Sequence, residues 1–135
     1  MFIYLAHAYR HKDRAVEDDR IKKSAQVAGS LILYGKNNGV DINVLAPVLH
    51  NSTIYRTNDF SPEEMTHVFK TFDFFMLAKA DIAVVLTLPG WRESVGVQEE
   101  IKFCQEKGIP VRYMNYEDRN DPKKLAAIIN LSRSK

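Results

Sequence analysis

The sequence has a single cysteine, Cys104, among its 135 residues, and it has no long hydrophobic run. One cysteine allows neither an internal disulfide nor a cysteine-based metal cluster, and its place in an apolar helical pattern favours a buried thiol. No apolar segment approaches the roughly 20 residues that a membrane-spanning helix needs. The short apolar start is followed at once by charges, unlike a secretory signal. We therefore expect a cytoplasmic protein with no membrane partner, metal or cofactor.

An excess of charge of one sign is also missing. The 19 Lys and Arg residues against 17 Asp and Glu residues give a net charge of +2. Nucleic-acid-binding domains usually carry a clear basic excess, so we expect no nucleic-acid partner. A composition of 45% hydrophobic and 27% charged residues is ordinary for a globular chain. The length suits one domain, which we predict to span residues 1–135.

What the sequence does contain is an alternation of strand-like and helix-like segments. The predicted strands cover residues 2–6, 40–45, 80–86 and 109–114. The predicted helices cover residues 13–36, 61–77 and 94–106, and a last one starts near residue 121. This alternation is typical of a parallel sheet with helices on both faces. We predict an α/β fold, a flavodoxin-like three-layer sandwich with a 4–5-stranded parallel sheet in the order 2-1-3-4.

Two features of the middle of the chain lead to further expectations. Residues 50–59 are polar and aperiodic, which predicts a long loop. The helix after it has strong start signals in Ser61, Pro62 and Glu64, and its second half is apolar on nearly all sides. One sheet face cannot bury such a helix all round, so we expect a homodimer or a higher homo-oligomer. The alternative is a monomer in which the helix is wedged between sheet and loop.

Polar and aromatic residues gather where three predicted strands end, at residues 6–11, 46–51 and 87–100. Ligands of open parallel sheets bind at that edge. After the first strand, Arg10 forms a small basic cluster with His7 and His11. Such a cluster suits a phosphate contact, although solvated loop charge is the common alternative.

Residues 94–100 form the most informative of these segments. Free N–H groups at a helix start attract anions, and Ser94 adds a hydroxyl there. Gly96 has no side chain, and Glu100 lies four residues later on the same face and leans toward it. The spacing favours a carboxylate beside a hollow, kept ionised by the positive helix end and suited to attack an electrophilic carbon. The alternative is a solvated glutamate on a common helix start.

For two residues within the predicted strands, Asp81 and Tyr4, the more common roles are structural. Asp81 stands at the start of the most apolar strand, where an aspartate commonly caps or pairs. Tyr4 lies inside the first strand and points away from its neighbours' face, as a core tyrosine with a bonded hydroxyl would.

Three segments, taken in order, resemble the nucleoside 2-deoxyribosyltransferase superfamily, which also holds the nucleoside 5′-monophosphate N-glycosidases. Residues 4–9, Tyr-Leu-Ala-His-Ala-Tyr, resemble its opening strand and loop. Residues 80–85, Ala-Asp-Ile-Ala-Val-Val, resemble its acidic strand, and residues 94–100, Ser-Val-Gly-Val-Gln-Glu-Glu, its Gly-x-x-x-Glu helix. The resemblance covers most of the chain and is closest to a small branch with a Leu-Pro-Gly-Trp-x-x-Ser-x-Gly run.

The resemblance implies a flavodoxin-like fold and cleavage of an N-glycosidic bond in a nucleotide or nucleoside. Glu100 falls on the family's nucleophile, which attacks C1′ of the sugar. Asp81 falls on a second acid, which would orient groups or help to protonate the departing base. Tyr4 falls on a tyrosine near the nucleophile.

The resemblance also carries expectations about substrate binding. Ser94 occupies the position where transferases of free nucleosides tend to have an acid, whereas a serine tolerates a 5′-phosphate. Arg10 falls near the phosphate-binding arginine of the N-glycosidase branch, and the other expected binding residues are His7, Tyr9 and Gly96. Whether water or a second base accepts the sugar stays open. A non-catalytic nucleotide-binding sensor on the same fold is the alternative.

Overall fold

A computed structural model describes the backbone of residues 1–133 and the side chains of residues 1–130. Its four strands, all parallel, form one sheet in the order β2-β1-β3-β4. They are β1 (Phe2–Ala6), β2 (Asn43–Leu45), β3 (Ile82–Leu86) and β4 (Val111–Met114). The predicted flavodoxin-like α/β sandwich and its strand order are therefore confirmed.

Helices cover both faces of the sheet. Within residues 1–133 they are α1 (Arg14–Asn37), α2 (Pro47–Thr57), α3 (Pro62–Leu77), α4 (Val95–Lys107) and α5 (Pro122–Arg133). A short 3₁₀ helix, Tyr116–Asp118, follows β4. None of these helices combines the length and hydropathy of a bilayer-spanning segment.

The core divides into two layers because side chains alternate along each strand. On β1, Ile3 and Leu5 pack toward α1 and α5, whereas Tyr4 and Ala6 pack toward α3 and α4. The central strand β3 is buried along its whole length. Burial on both faces explains why its sequence is a continuous apolar run rather than an alternating one.

The loop predicted at residues 50–59 is wrong, because most of it belongs to α2. Pro47 occupies the first turn, where its missing N–H leaves no bond unmade. Hydroxyl side chains donate to carbonyls one turn back, as Thr57 Oγ1 does to Thr53 O at 2.8 Å. These bonds make a polar sequence compatible with a helix, and α2 lacks an apolar stripe because part of it faces a cavity.

The second strand is shorter than predicted, and Val40 closes the end of α1 instead of joining the sheet. The Val40 amide donates to the Gly35 carbonyl at 2.8 Å. A Cβ at residue 35 would lie 2.5 Å from Val40 O, so only glycine permits this close approach.

The start of α3 is as predicted, with a complete capping box. Ser61 Oγ accepts from the Glu64 amide, and Glu64 Oε1 accepts from the Ser61 amide, both at 3.1 Å. Part of the helix's aromatic surface is covered within the chain, because Phe72 stacks on His50 with 4.7 Å between ring centroids. Phe75 remains 61% exposed.

Candidate active site

A pocket of about 650 Å³ lies at the carboxyl edge of the sheet. All three polar segments that the sequence places beyond the strand ends contribute to its lining. The helix α3 forms a fourth wall of the pocket, and the sequence analysis did not predict that contribution. The pocket is thus enclosed by the segments that follow β1, β2 and β3, as expected for an open parallel sheet.

Glu100 lines this pocket from the second turn of α4. Its Oε2 accepts a hydrogen bond from the hydroxyl of Tyr4, which is fully buried. Tyr4 reaches Glu100 because both lie on the face of the sheet that α3 and α4 cover. The structure therefore brings together two of the residues that the resemblance assigned to the site, with one oxygen of the carboxyl fixed in place.

The hollow predicted above Gly96 is present. A Cβ at residue 96 would have Ser94 Oγ at 4.0 Å as its nearest neighbour among the described residues outside its own helix backbone. Ser94 caps α4, and its Oγ accepts from the Val97 amide at 3.3 Å. Both Ser94 and Gly96 line the pocket. The start of α4 therefore offers free backbone N–H groups to a ligand without a side chain in the way.

The expectation that α4 keeps Glu100 ionised is wrong. Burial raises the pKa of Glu100 to about 8; the Tyr4 hydrogen bond opposes this, and the charges of Asp73 and Glu99 add to it. Because the helix dipole falls off within the first turn, a carboxyl in the second turn gains little from it. At pH 7 Glu100 is therefore mostly in its protonated form.

Asp73, on α3, is a site residue that the sequence analysis missed. It lines the pocket, and Asn51 Nδ2 of α2 donates to its Oδ1 at 2.9 Å. Burial raises the pKa of Asp73 to about 6, against the opposing effects of Asn51 and His50. A lone carboxylate within a run of phenylalanines was the available signal, but that run was interpreted as core or subunit interface.

Asp81, predicted to be catalytic, lies at the wrong end of the sheet. Its Oδ2 accepts from the Phe2 amide at 2.6 Å, where β1 and β3 begin. Parallel strands all start at one edge of the sheet, and ligands bind at the other edge, about 16 Å away along a five-residue strand. Asp81 therefore ties two strand starts together, and the acid that shares the pocket lining with Glu100 and raises its pKa is Asp73.

The loop between β1 and α1 contributes His7, Tyr9 and Arg10 to the pocket lining. His7 is buried, and its Nδ1–H donates to Ala8 O at 2.9 Å. Its Nε2 has no hydrogen-bond partner among the described residues. Burial lowers the pKa of His7 to about 4; the Ala8 bond opposes this, and the charge of Arg20 lowers it further.

The predicted basic cluster after β1 therefore reduces to Arg10. A histidine with a pKa near 4 is neutral at pH 7, so His7 presents a lone pair rather than a positive charge. His11 is exposed, and its Nδ1 accepts from the Asp13 amide at 3.0 Å, at the start of α1. Arg10 is exposed at the pocket's edge.

The described residues bring together no group of three or more His, Cys, Asp or Glu side chains that could hold a metal ion. The pocket does contain an ion pair. Lys70 of α3 pairs with Glu99 of α4 at 2.6 Å beside the two buried carboxyls. This ion pair joins the two helices that carry Asp73 and Glu100.

In a comparison with known families, residues 2–116 match a domain of unknown function, DUF1937. The chain belongs to the DUF1937 family. The match runs from β1 to the first residue of the 3₁₀ helix that follows β4, so it includes every pocket residue described above. A comparison with curated proteins found no match for this chain.

The pocket of this DUF1937 domain combines three chemical elements. Two carboxyl groups with raised pKa values stand on neighbouring helices. The free N–H groups at the start of α4 suit an anionic or polar group of a ligand. The aromatic part of the wall suits a flat ring, and it consists of Tyr9, Tyr55, Phe69 and Phe74.

Proposed function

We propose that this DUF1937 domain cleaves the N-glycosidic bond of a nucleoside 5′-monophosphate, by hydrolysis or by transfer of the sugar. The observation that supports it best is the Glu100 carboxyl, held by Tyr4 at the pocket wall beside the open backbone of Gly96. The resemblance to the nucleoside 2-deoxyribosyltransferase superfamily supports the same chemistry.

Substrate binding in this proposal uses the pocket's three parts. The base stacks against the aromatic wall, and the sugar fills the hollow above Gly96. The 5′-phosphate meets the N–H groups and the Ser94 hydroxyl at the start of α4, with Arg10 as its cationic partner. His7, being neutral, is left to accept a hydrogen bond rather than to bind the phosphate.

The bond changes follow from the two carboxyl groups. A Glu100 oxygen bonds to C1′ as the bond between C1′ and the base nitrogen breaks, and that bond's electron pair goes to the base. Asp73 gives the base its proton. A water oxygen then attacks C1′, the ester bond to Glu100 breaks, and Asp73 takes the water's proton. In the transfer reaction a second base replaces the water.

Proton placement is the demanding part of this mechanism. With a pKa near 8 for Glu100 and near 6 for Asp73, Glu100 holds its proton at pH 7 whereas Asp73 is mostly ionised. The reactive state needs that proton on Asp73 and a bare carboxylate at residue 100. Positive charge that develops at C1′ favours this arrangement, because it stabilises the adjacent carboxylate. The two groups therefore titrate as a pair.

The test is release of free base from a panel of nucleoside 5′-monophosphates and the matching nucleosides, followed by chromatography. We expect release from at least one monophosphate, abolished by Glu100→Gln, which keeps the shape of the side chain but cannot act as a nucleophile. Ser94→Asp is the matched specificity variant, since its charge repels a phosphate and should shift preference toward free nucleosides. A panel in which no compound loses its base contradicts the proposal.

A nucleotide-binding sensor is the second candidate. The raised pKa of Glu100 favours it, because a neutral carboxyl is a poor nucleophile but a good hydrogen-bond donor to a ligand. A sensor would bind nucleotide equally well in the wild type and in Glu100→Gln and would release no base from either.

A homo-oligomer and a cytoplasmic location complete the proposal. The oligomer is supported by apolar side chains left exposed on α3, Val68 at 48% and Phe75 at 61%. Sedimentation of the wild type beside a Val68→Lys, Phe75→Lys double variant tests the interface. A single monomeric species for the wild type contradicts it.

A further inference from the structure

Arg20 reaches from α1 across the carboxyl edge of the sheet. Its Nη1 donates to the carbonyl oxygens of Tyr9 and Arg10, each at 3.1 Å. Its Nη2 donates to the carbonyl oxygen of Pro89 at 2.9 Å. Tyr9 and Arg10 belong to the loop after β1, whereas Pro89 belongs to the loop after β3. One guanidinium therefore joins two loops that lie far apart in the sequence.

These two loops carry different parts of the pocket. The loop after β1 presents Tyr9 and Arg10 to the cavity, and the loop after β3 leads into Ser94 and Gly96 of α4. A ligand that touches both needs the loops at a fixed separation. The guanidinium is suited to this task because it is planar and donates in several fixed directions, whereas an ammonium on a flexible stem is not.

The backbone at Gly90 shows how closely the second loop approaches Arg20. Gly90 has a φ of +92°, and a Cβ there would lie 3.1 Å from Arg20 Nη2. The loop turns through a conformation that favours glycine at the point where its Pro89 carbonyl meets the guanidinium. A side chain at residue 90 would crowd the guanidinium, so glycine suits this close approach.

We propose that Arg20 is a positioning residue that sets the separation of the two loops and thereby the affinity of the pocket for its ligand. The nature of that ligand rests on the proposed function, but the bridge between the loops does not. Arg20 also borders the pocket, so direct contact with a ligand phosphate is the competing role.

Replacement by lysine separates the two roles. Arg20→Lys keeps the positive charge and so keeps a phosphate contact, but it cannot bridge three carbonyls in the same geometry. Arg20→Met removes both. Arg14→Met is the matched control, because Arg14 also lies on α1 but is exposed and pairs with Asp18 at 3.6 Å rather than with either loop. Thermal unfolding of each variant establishes that it is folded.

The ligand-free readout is amide hydrogen exchange in residues 7–12 and 87–93. We expect faster exchange in both loops for Arg20→Lys and Arg20→Met, and no change for Arg14→Met. Unchanged exchange, or a change confined to one loop, overturns the bridge. This measurement decides the inference even if the wild type releases no base, which would refute only the proposed function.

The functional readout is the split between KM and kcat for whichever monophosphate the panel identifies. We expect KM to rise by about tenfold or more in both Arg20 variants, with kcat within about threefold, because Glu100 and Tyr4 are untouched. With no substrate, calorimetric binding of deoxyadenosine 5′-monophosphate replaces KM. Wild-type affinity in Arg20→Lys would overturn the positioning role and assign Arg20 to phosphate contact.

Discussion

Replacing Glu100 with Gln should change how the stability of the protein depends on pH. In the unfolded chain Glu100 ionises above its ordinary pKa of 4.5, whereas the folded protein keeps it protonated up to about 8. Between these values folding takes up a proton, so the free energy of unfolding falls as pH rises and levels off above pH 8. Glutamine, which is never charged, removes this loss.

The size of the effect follows from the same two values. The difference between 4.5 and about 8 corresponds to roughly 5 kcal/mol. Because the half-buried carboxyl faces an open pocket, we expect about half of that, 2–3 kcal/mol, to be observed.

Urea unfolding of the wild type and Glu100→Gln at pH 5, 6, 7, 8 and 9 measures the effect. Because the charge of Asp73 contributes to the raised pKa of Glu100, the difference between the two proteins reports Glu100 together with its coupling to Asp73. We expect similar stabilities near pH 5 and a growing advantage for the variant up to about pH 8. Parallel curves across the whole range would refute the burial of an ionisable group at residue 100.

The other predictions concern the pocket and its supports. Asp73→Asn should slow base release by about 10²–10⁴-fold. Asp81→Ala should leave the rate near normal and lower the free energy of unfolding in urea by about 1 kcal/mol. Equal losses of activity in the two variants would contradict the separation of their roles. Tyr4→Phe removes a hydrogen bond that lowers the Glu100 pKa. The fall in the rate of base release above about pH 8 should therefore move to higher pH, and an unchanged pH–rate profile would count against the bond. Gly96→Ala should stabilise α4 by up to about 1 kcal/mol yet weaken nucleotide binding, because its Cβ enters the hollow. Unchanged affinity in that variant would show that ligands do not occupy the hollow.

The relative placement of residues that lie close together in the sequence could be predicted. Ser94, Gly96 and Glu100 lie within two turns of one helix, so periodicity alone places their side chains relative to one another. The apolar run of β3 likewise indicates burial on both faces, and burial constrains its place in the sheet. The strand order cannot be read from such local features, and the order 2-1-3-4 was predicted as the flavodoxin-like arrangement that suits short right-handed crossovers.

Residues whose role depends on contacts between distant segments could not be predicted in the same way. Asp73 matters because α3 packs beside α4 and α2, and an isolated helical pattern contains no record of those neighbours. The protonation of Glu100 and the neutrality of His7 depend on burial that only the folded chain creates. Asp81 is a different case, because its position at the start of β3 already indicated a capping role and only the motif match linked it to the site.

The most direct test of nucleophilic attack by Glu100 is the mass of the peptide that contains it. The protein is mixed with a monophosphate that loses its base, quenched in acid within the turnover time, digested and analysed by mass spectrometry. We predict that the peptide carrying Glu100 gains the mass of the sugar phosphate, and that the corresponding peptide of Glu100→Gln does not. Base release with no adduct, or an adduct on another residue, would contradict covalent catalysis by Glu100.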